Sequence, residues 1–344
     1  MNYTDFDLEQ IRNLITCKQN LPKAIENLQE YISKHELTTF QLKWEQLNGD
    51  YLLMKDFLRR GLKDPQFNVV YHNLLRELYA LNSDIQLEKM IHENGSYQLA
   101  HQTAKSVVLG DTSIKTQMEK FVQDVAMLSL EPERGQTLQT NQLYEEHQKY
   151  INQVFNAFLV SPQWTESVAK FVEELFLSPT VDSNDIQLLL SGLMLSAIQL
   201  FDYRKILVLI ATYQKSTDEQ IRQRALVGLV LCLPDNDANI YPEVSKSITK
   251  LCQNEQTLQE LLELQIQFFY CMNADADNEK LQKDIIPQLM KGQNIQFTRT
   301  GIIEKEEDPL EEMLNPGAAD RAMEAMEENF QKMMNMQRAG SDIY

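Results

Sequence analysis

Glycine and proline are scarce in this chain, at 11 and 10 of 344 residues. All-β sandwiches and barrels need turn residues at short, regular intervals, so these counts argue against them. Cysteine is scarcer still. Cys17, Cys232, Cys252 and Cys271 form no C-x-x-C pair, which removes the usual spacing of zinc and dithiol sites. They read instead as small packing residues in a reducing compartment. Long apolar runs are missing too. Spanning a bilayer takes roughly 18–20 residues, and the best stretches, Ile186–Leu200 and Ile206–Ala211, are interrupted or short. The opening MNYTDFDLEQ has neither the basic start nor the apolar run of a secretory signal. A cytoplasmic location without membrane contact is therefore expected.

Positive charge is also in deficit. Lys and Arg number 32 against 50 Asp and Glu, leaving a net charge of −18. Such a field repels nucleic-acid backbones and anionic lipid. The densest basic runs, Arg59-Arg60 and Arg222 with Arg224, are too short to reverse that. Nucleic acid is not an expected partner.

The motifs that carry chemistry are absent as well. No H-E-x-x-H, no phosphate-cradling glycine loop and no G-x-S-x-G elbow occurs. His92 and His101 are nine residues apart, a weak candidate for a shared face, and Glu145-Glu146-His147 is the other histidine cluster. The loops DNDAN (235–239) and NADADN (273–278) lack the glycine and closing glutamate of a calcium loop. Adjacent carboxylates such as Glu173-Glu174 point apart on a helix and make poor acid–base partners. No catalytic, cofactor-binding or metal-binding residue is expected, and no cofactor.

What is present is helix. Leu, Gln, Glu, Lys and Ala abound, and all favour helices. Apolar residues recur at helical spacing from residue 7 to about 290, broken by short polar segments. Those breaks include KHELTT, LNSD, SPQW, SPTVDSND, KSTDE and MNADADN, and many supply an N-cap side chain for the next helix. In the second half they mark off pairs: Tyr144–Leu159 with Thr165–Leu177, Asp185–Leu200 with Tyr203–Tyr213, Asp218–Leu233 with Tyr241–Leu251, and Thr257–Met272 with Glu279–Met290. Asp185 to Glu219 is 34 residues and Glu219 to Glu255 is 36, a period typical of stacked helix pairs.

Within the third pair, DEQIRQRALVGL resembles the first helix of a HEAT repeat, with Asp218, Ile221, Arg222, Ala225 and Leu229 at the patterned positions. The other pairs match it poorly, and the resemblance covers residues 141–292. It implies an all-α fold: an α-α superhelix, a HEAT- or tetratricopeptide-like right-handed solenoid of antiparallel helix pairs. It also implies that Asp218 or Arg222 ties one pair to the next. Ala225 and Gly228 are expected to let the neighbouring helix approach closely, with Ile221, Leu226, Leu229 and Cys232 filling the seam.

Residues 1–135 form a further helical region without a clear repeat phase. There, DYLLMKDFLRRGLKDPQ and YHNLLRELY resemble uncharacterised tetratricopeptide-like proteins of Bacteroidetes, a family to which no activity is attached. Residues 293–317 read as an acidic, irregular connector. From 304 to 344 there are 11 acidic and 4 basic residues. Within 318–344, residues 318–337 read as an amphipathic Met-rich helix, with Met323, Met326, Phe330, Met333 and Met334 as partner-binding residues. Methionine suits irregular partner grooves, although the same helix would also serve to cap the end of the array. The finish at GSDIY reads as the N-terminal portion of a longer protein. The expected function is a non-enzymatic protein–protein interaction scaffold or adaptor. The alternative is a helical accessory portion of a larger enzyme or assembly. A protein or peptide partner is expected, and the sequence leaves its identity and the oligomeric state open.

Overall fold

The computed structural model describes residues 3–61, 65–129, 136–233, 237–281, 283, 295–298 and 301–304. These are helical apart from one short hairpin, so the fold is all-α. The chain divides into two units, Met1–Leu261 and Leu262–Tyr344. The first holds α1 (Tyr3–Thr16), α2 (Leu21–Lys34), α3 (Thr38–Arg59), α4 (Phe67–Glu93), α5 (Gly95–Ala104), α6 (Ser113–Ser129), α7 (Gln136–Leu159), α8 (Glu166–Phe176), α9 (Ser183–Gln199), α10 (Tyr203–Lys215), α11 (Glu219–Cys232), a 3-10 turn (Asp237–Ile240) and α12 (Pro242–Leu251). The division falls within α13 (Glu255–Lys280). Among the described residues, no helix is long and apolar enough to cross a membrane.

Local chemistry sets the helix starts. Asn20, Asn94, Thr165, Asp182, Asp202 and Asp218 each accept a first-turn backbone N–H, as N-caps do. Without such caps the first-turn N–H groups have no intrahelical partner.

The later helices of the first unit keep a regular step. Helices α9, α11 and α13 begin at Ser183, Glu219 and Glu255, 36 residues apart both times. Helix α9 packs against α7 and α11, and α10 against α8, α11 and α12. Bonds between His147 and Asp185, Gln163 and Phe201, Trp164 and Asp202, Met194 and Cys232, and Arg222 and Glu260 all join residues 38 apart. This packing of neighbours is compatible with a helical repeat. Asp218 and Arg222 do reach adjacent pairs. Asp218 accepts the Ser183 hydroxyl at 2.7 Å, and Arg222 donates to Glu260 at 2.7 Å. Ile221, Ala225, Leu226, Leu229 and Cys232 are buried. Among the described glycines the tightest site, however, is Gly192, where a β-carbon would lie 3.0 Å from the Phe155 ring. At Gly228 the nearest atom would be 3.5 Å away, an ordinary contact.

Helix α4 crosses the turns of this array. Asp84 accepts the Gln163 N–H at 3.1 Å in the α7–α8 turn. Tyr79 donates its hydroxyl to the Phe201 carbonyl at 3.3 Å in the α9–α10 turn. Arg76 donates to the Ile240 carbonyl and to Glu243, both at 2.9 Å, after α11. Running from Asp84 to Arg76, one helix thus meets three successive turns in order.

Several expected breaks are overturned. LNSD (81–84) lies inside α4, where Leu81, Asn82 and Ser83 are buried and packing overrides their weak helix propensity. MNADADN (272–278) lies inside α13, where Asn273 bonds back to the Phe269 carbonyl at 2.7 Å instead of capping a new helix. In the second unit, the expected irregular connector contains an antiparallel hairpin of β1 (Ile295–Thr298) and β2 (Gly301–Glu304), pairing Ile295 with Glu304 and Thr298 with Gly301. Cys232 is buried as expected, but Cys17 and Cys271 are exposed.

Candidate interaction surface

Helix α3 buries Phe40, Trp44, Leu47 and Tyr51, one stripe at helical spacing. After Tyr51 the stripe ends, and α4 has no buried residue before Leu74. Among the described residues, none between 52 and 73 is buried. The two helix ends form an arm, and α3 stops at Gly61, whose φ of +69° is the left-handed C-terminal conformation that favours glycine. The arm is nonetheless apolar. Leu53 is 61% exposed and Phe57 53%, with Leu52, Leu58 and Val69 also open to solvent. Scattered exposed leucines are normal in soluble proteins, whereas a contiguous group marks a contact surface.

Three adjoining recesses follow the arm onto the body. The first, about 360 Å³, lies among Leu53, Phe57, Val70, Leu74, Asp50 and Glu77. The second, about 540 Å³, shares Asp50 and Glu77 and adds Lys43 and Asp84. The third, about 560 Å³, shares Lys43 and Asp84 and is walled by Phe40, Leu87, Ile91, Val108 and Trp164. Together they make a groove beside α4 from Phe67 to Ile91, about 36 Å at 1.5 Å per residue.

The charges in the groove are unequal. Lys43 pairs with Asp84 at 3.0 Å, and Arg60 with Asp56 at 2.7 Å nearer the arm tip. Asp50 and Glu77 line the first two recesses together, and Lys43, which lines the second with them, pairs with Asp84 instead. Desolvation by the groove walls raises the Glu77 pKa above the ordinary carboxyl value, and the Asp50 carboxylate adds to the rise.

A second group of polar side chains lies inside the body. Asp202 is 0% exposed and Lys205 1%. Asp202 caps α10 and accepts N–H groups of Trp164 at 2.7 Å and Arg204 at 2.9 Å. Lys205 donates to the Ser161 carbonyl at 3.2 Å and the Ser196 hydroxyl at 2.8 Å, over the Trp164 ring. Burial pulls the Lys205 pKa down to about 8, opposed by Asp202 and Asp84, and pushes the Cys232 thiol up to about 12. Lysines with lowered pKa values serve as bases and nucleophiles where a substrate reaches them. Here the ammonium is spent on the α7–α8 turn and on the Ser196 hydroxyl within α9.

No protein-family model, curated protein or solved structure matches the chain. The likeness of residues 218–229 to a HEAT helix, and of residues 50–79 to the Bacteroidetes proteins, therefore rests on those residues alone.

The expected partner-binding residues Met323, Met326, Phe330, Met333 and Met334 lie outside the described residues. His92 and His101 form no shared site: His92 faces Glu88 at 3.2 Å, and His101 lines the third recess. Among the described residues, no three His, Cys, Asp or Glu side chains are placed to hold a metal. His147 bonds to Asp185 at 2.8 Å and stacks on Phe121 at 3.5 Å, rather than joining its neighbouring glutamates. The sequence shows Leu52, Leu53, Phe57 and Leu58 as apolar residues of a helix, but their exposure shows only in the structure, where the buried stripe ends at Tyr51.

Proposed function

We propose that the protein is a non-enzymatic, cytoplasmic protein–protein interaction scaffold in which stacked helix pairs form a solenoid and the α3–α4 arm presents a docking surface. One observation carries the reading: residues 52–73 place several large apolar side chains outside any core. Burying a leucine or phenylalanine of this kind against a partner contributes about 1.5–3 kcal/mol. The acidic surface favours a basic or mixed-charge partner. The 36-residue step of the helix starts supports the solenoid, because each pair leaves a face that only a neighbour covers.

The test is affinity capture from cells at low salt with wild type and with Leu53→Glu/Phe57→Glu. Wild type should retain partners that the variant loses. If both forms retain the same proteins, or wild type retains none, the arm is not the docking surface.

A further inference from the structure

The groove has a pattern along its length. Its arm end is apolar, at Leu53, Phe57, Val70 and Leu74. One helical turn inward on each wall stand the carboxylates Asp50 and Glu77. Farther on, Lys43 neutralises Asp84. Asp50 and Glu77 thus stand between the apolar arm end and the Lys43–Asp84 pair.

We infer that the groove takes an amphipathic helix from a partner protein, with an apolar anchor beside Phe57 and a Lys or Arg one or two turns away between Asp50 and Glu77. This rests on the scaffold reading and names its partner class. A helix fits because the groove runs between two helices, and a third helix seats its side chains into such a groove at i, i+3, i+4 and i+7. A cation fits because it would replace the repulsion between two like-charged carboxylates with two attractions. Desolvation disfavours the charge on Glu77, and an incoming ammonium or guanidinium would oppose that effect. A second copy of this chain is a poorer occupant, because two bodies of net charge −18 repel.

Phage-displayed random 16-residue peptides, panned on the full chain, test this. The enriched peptides should carry an apolar residue three to seven positions from a Lys or Arg. A fluorescein-labelled synthetic copy should bind in anisotropy titrations and weaken as salt rises. Affinity should fall at least tenfold with Asp50→Asn/Glu77→Gln and with Phe57→Glu. Each variant should melt within a few degrees of wild type, since all three side chains are exposed. Peptides that lack the basic residue, or that bind wild type and variants alike, overturn the groove assignment and leave the scaffold reading standing. Absence of any enriched peptide counts against both. A dimer in sedimentation that Phe57→Glu dissolves would give the groove to a second copy and sink the proposal.

Discussion

Residues 52–73 and residues 186–213 both carry apolar side chains at helical spacing, and only the second stretch has somewhere to put them. In α9 and α10, Ile186, Leu189, Leu190, Leu193, Ile206, Leu209 and Tyr213 are buried by α7, α8, α11 and α12. In the arm, Leu52, Leu53, Phe57 and Leu58 face water. Composition separates them in part, since residues 52–73 carry six Asp, Lys and Arg residues against three in the longer stretch 186–213. Neighbours decide which apolar side chains are covered. A pair inside the array has a helix on either side, whereas the arm meets the body at its base, where Tyr71 donates to the Gln19 carbonyl at 2.6 Å and accepts the Leu21 N–H at 3.1 Å. Fully covered residues hold the fold together, and uncovered ones are available for binding. Substitutions should therefore have large effects on stability in one region and nearly none in the other.

The largest effect is expected at Asp202. Its carboxylate satisfies two backbone N–H groups and offsets the buried Lys205. Asp202→Ala leaves those donors and that cation uncompensated in a dry interior. Loss of one partner of a buried charged set costs about 3–5 kcal/mol. Urea unfolding should show a midpoint shift of that size. A shift below about 1 kcal/mol, the scale of an exposed pair, would mean that water reaches the cluster.

A smaller effect follows from pH. Lys205 titrates near 8 in the folded protein and near its ordinary 10.5 when unfolded. Between those values the unfolded chain binds more protons, so this group adds stability as pH rises and loses it as pH falls through 8. Cys232 acts in the opposite sense. Its thiol moves from 9.0 to about 12, so above pH 9 the unfolded chain sheds that proton first and stability falls. The window from pH 8 to 9 thus belongs to Lys205, with a gain of about 1 kcal/mol across it. Lys205→Met should flatten that slope in chemical-denaturation curves. An unchanged slope would place its origin elsewhere.

The sequence shows the array well because its signals are local and repeated. Caps at Asp182, Asp202 and Asp218, and apolar runs between them, show steps of 34 and 36 residues in the sequence, and the helix starts make both 36. The tie made by Asp218 and Arg222 was implied by the resemblance to a HEAT helix, and both reach adjacent pairs. What the sequence hides is decided at a distance. LNSD reads as a break until Asn82 is seen to donate to the Leu8 carbonyl, 74 residues away. Lys205 gives no sign of burial, since its partners lie in the α7–α8 turn and at Ser196. The arm is hidden most completely, because an exposed leucine and a buried one look alike in sequence.

The smallest effect is expected at the arm itself. Leu53 and Phe57 are more than half exposed and line the first recess. Leu53→Ala/Phe57→Ala removes little buried area and keeps helix-compatible side chains. Surface changes of this kind stay within about ±0.5 kcal/mol. The urea midpoint should therefore hold while binding of the selected peptide falls, which separates the arm's role from that of Asp202. If the double variant instead loses more than about 2 kcal/mol, the scale of truncating a core leucine, the arm is covered in solution. Leu53 and Phe57 would then belong with the buried residues of α9 and α10.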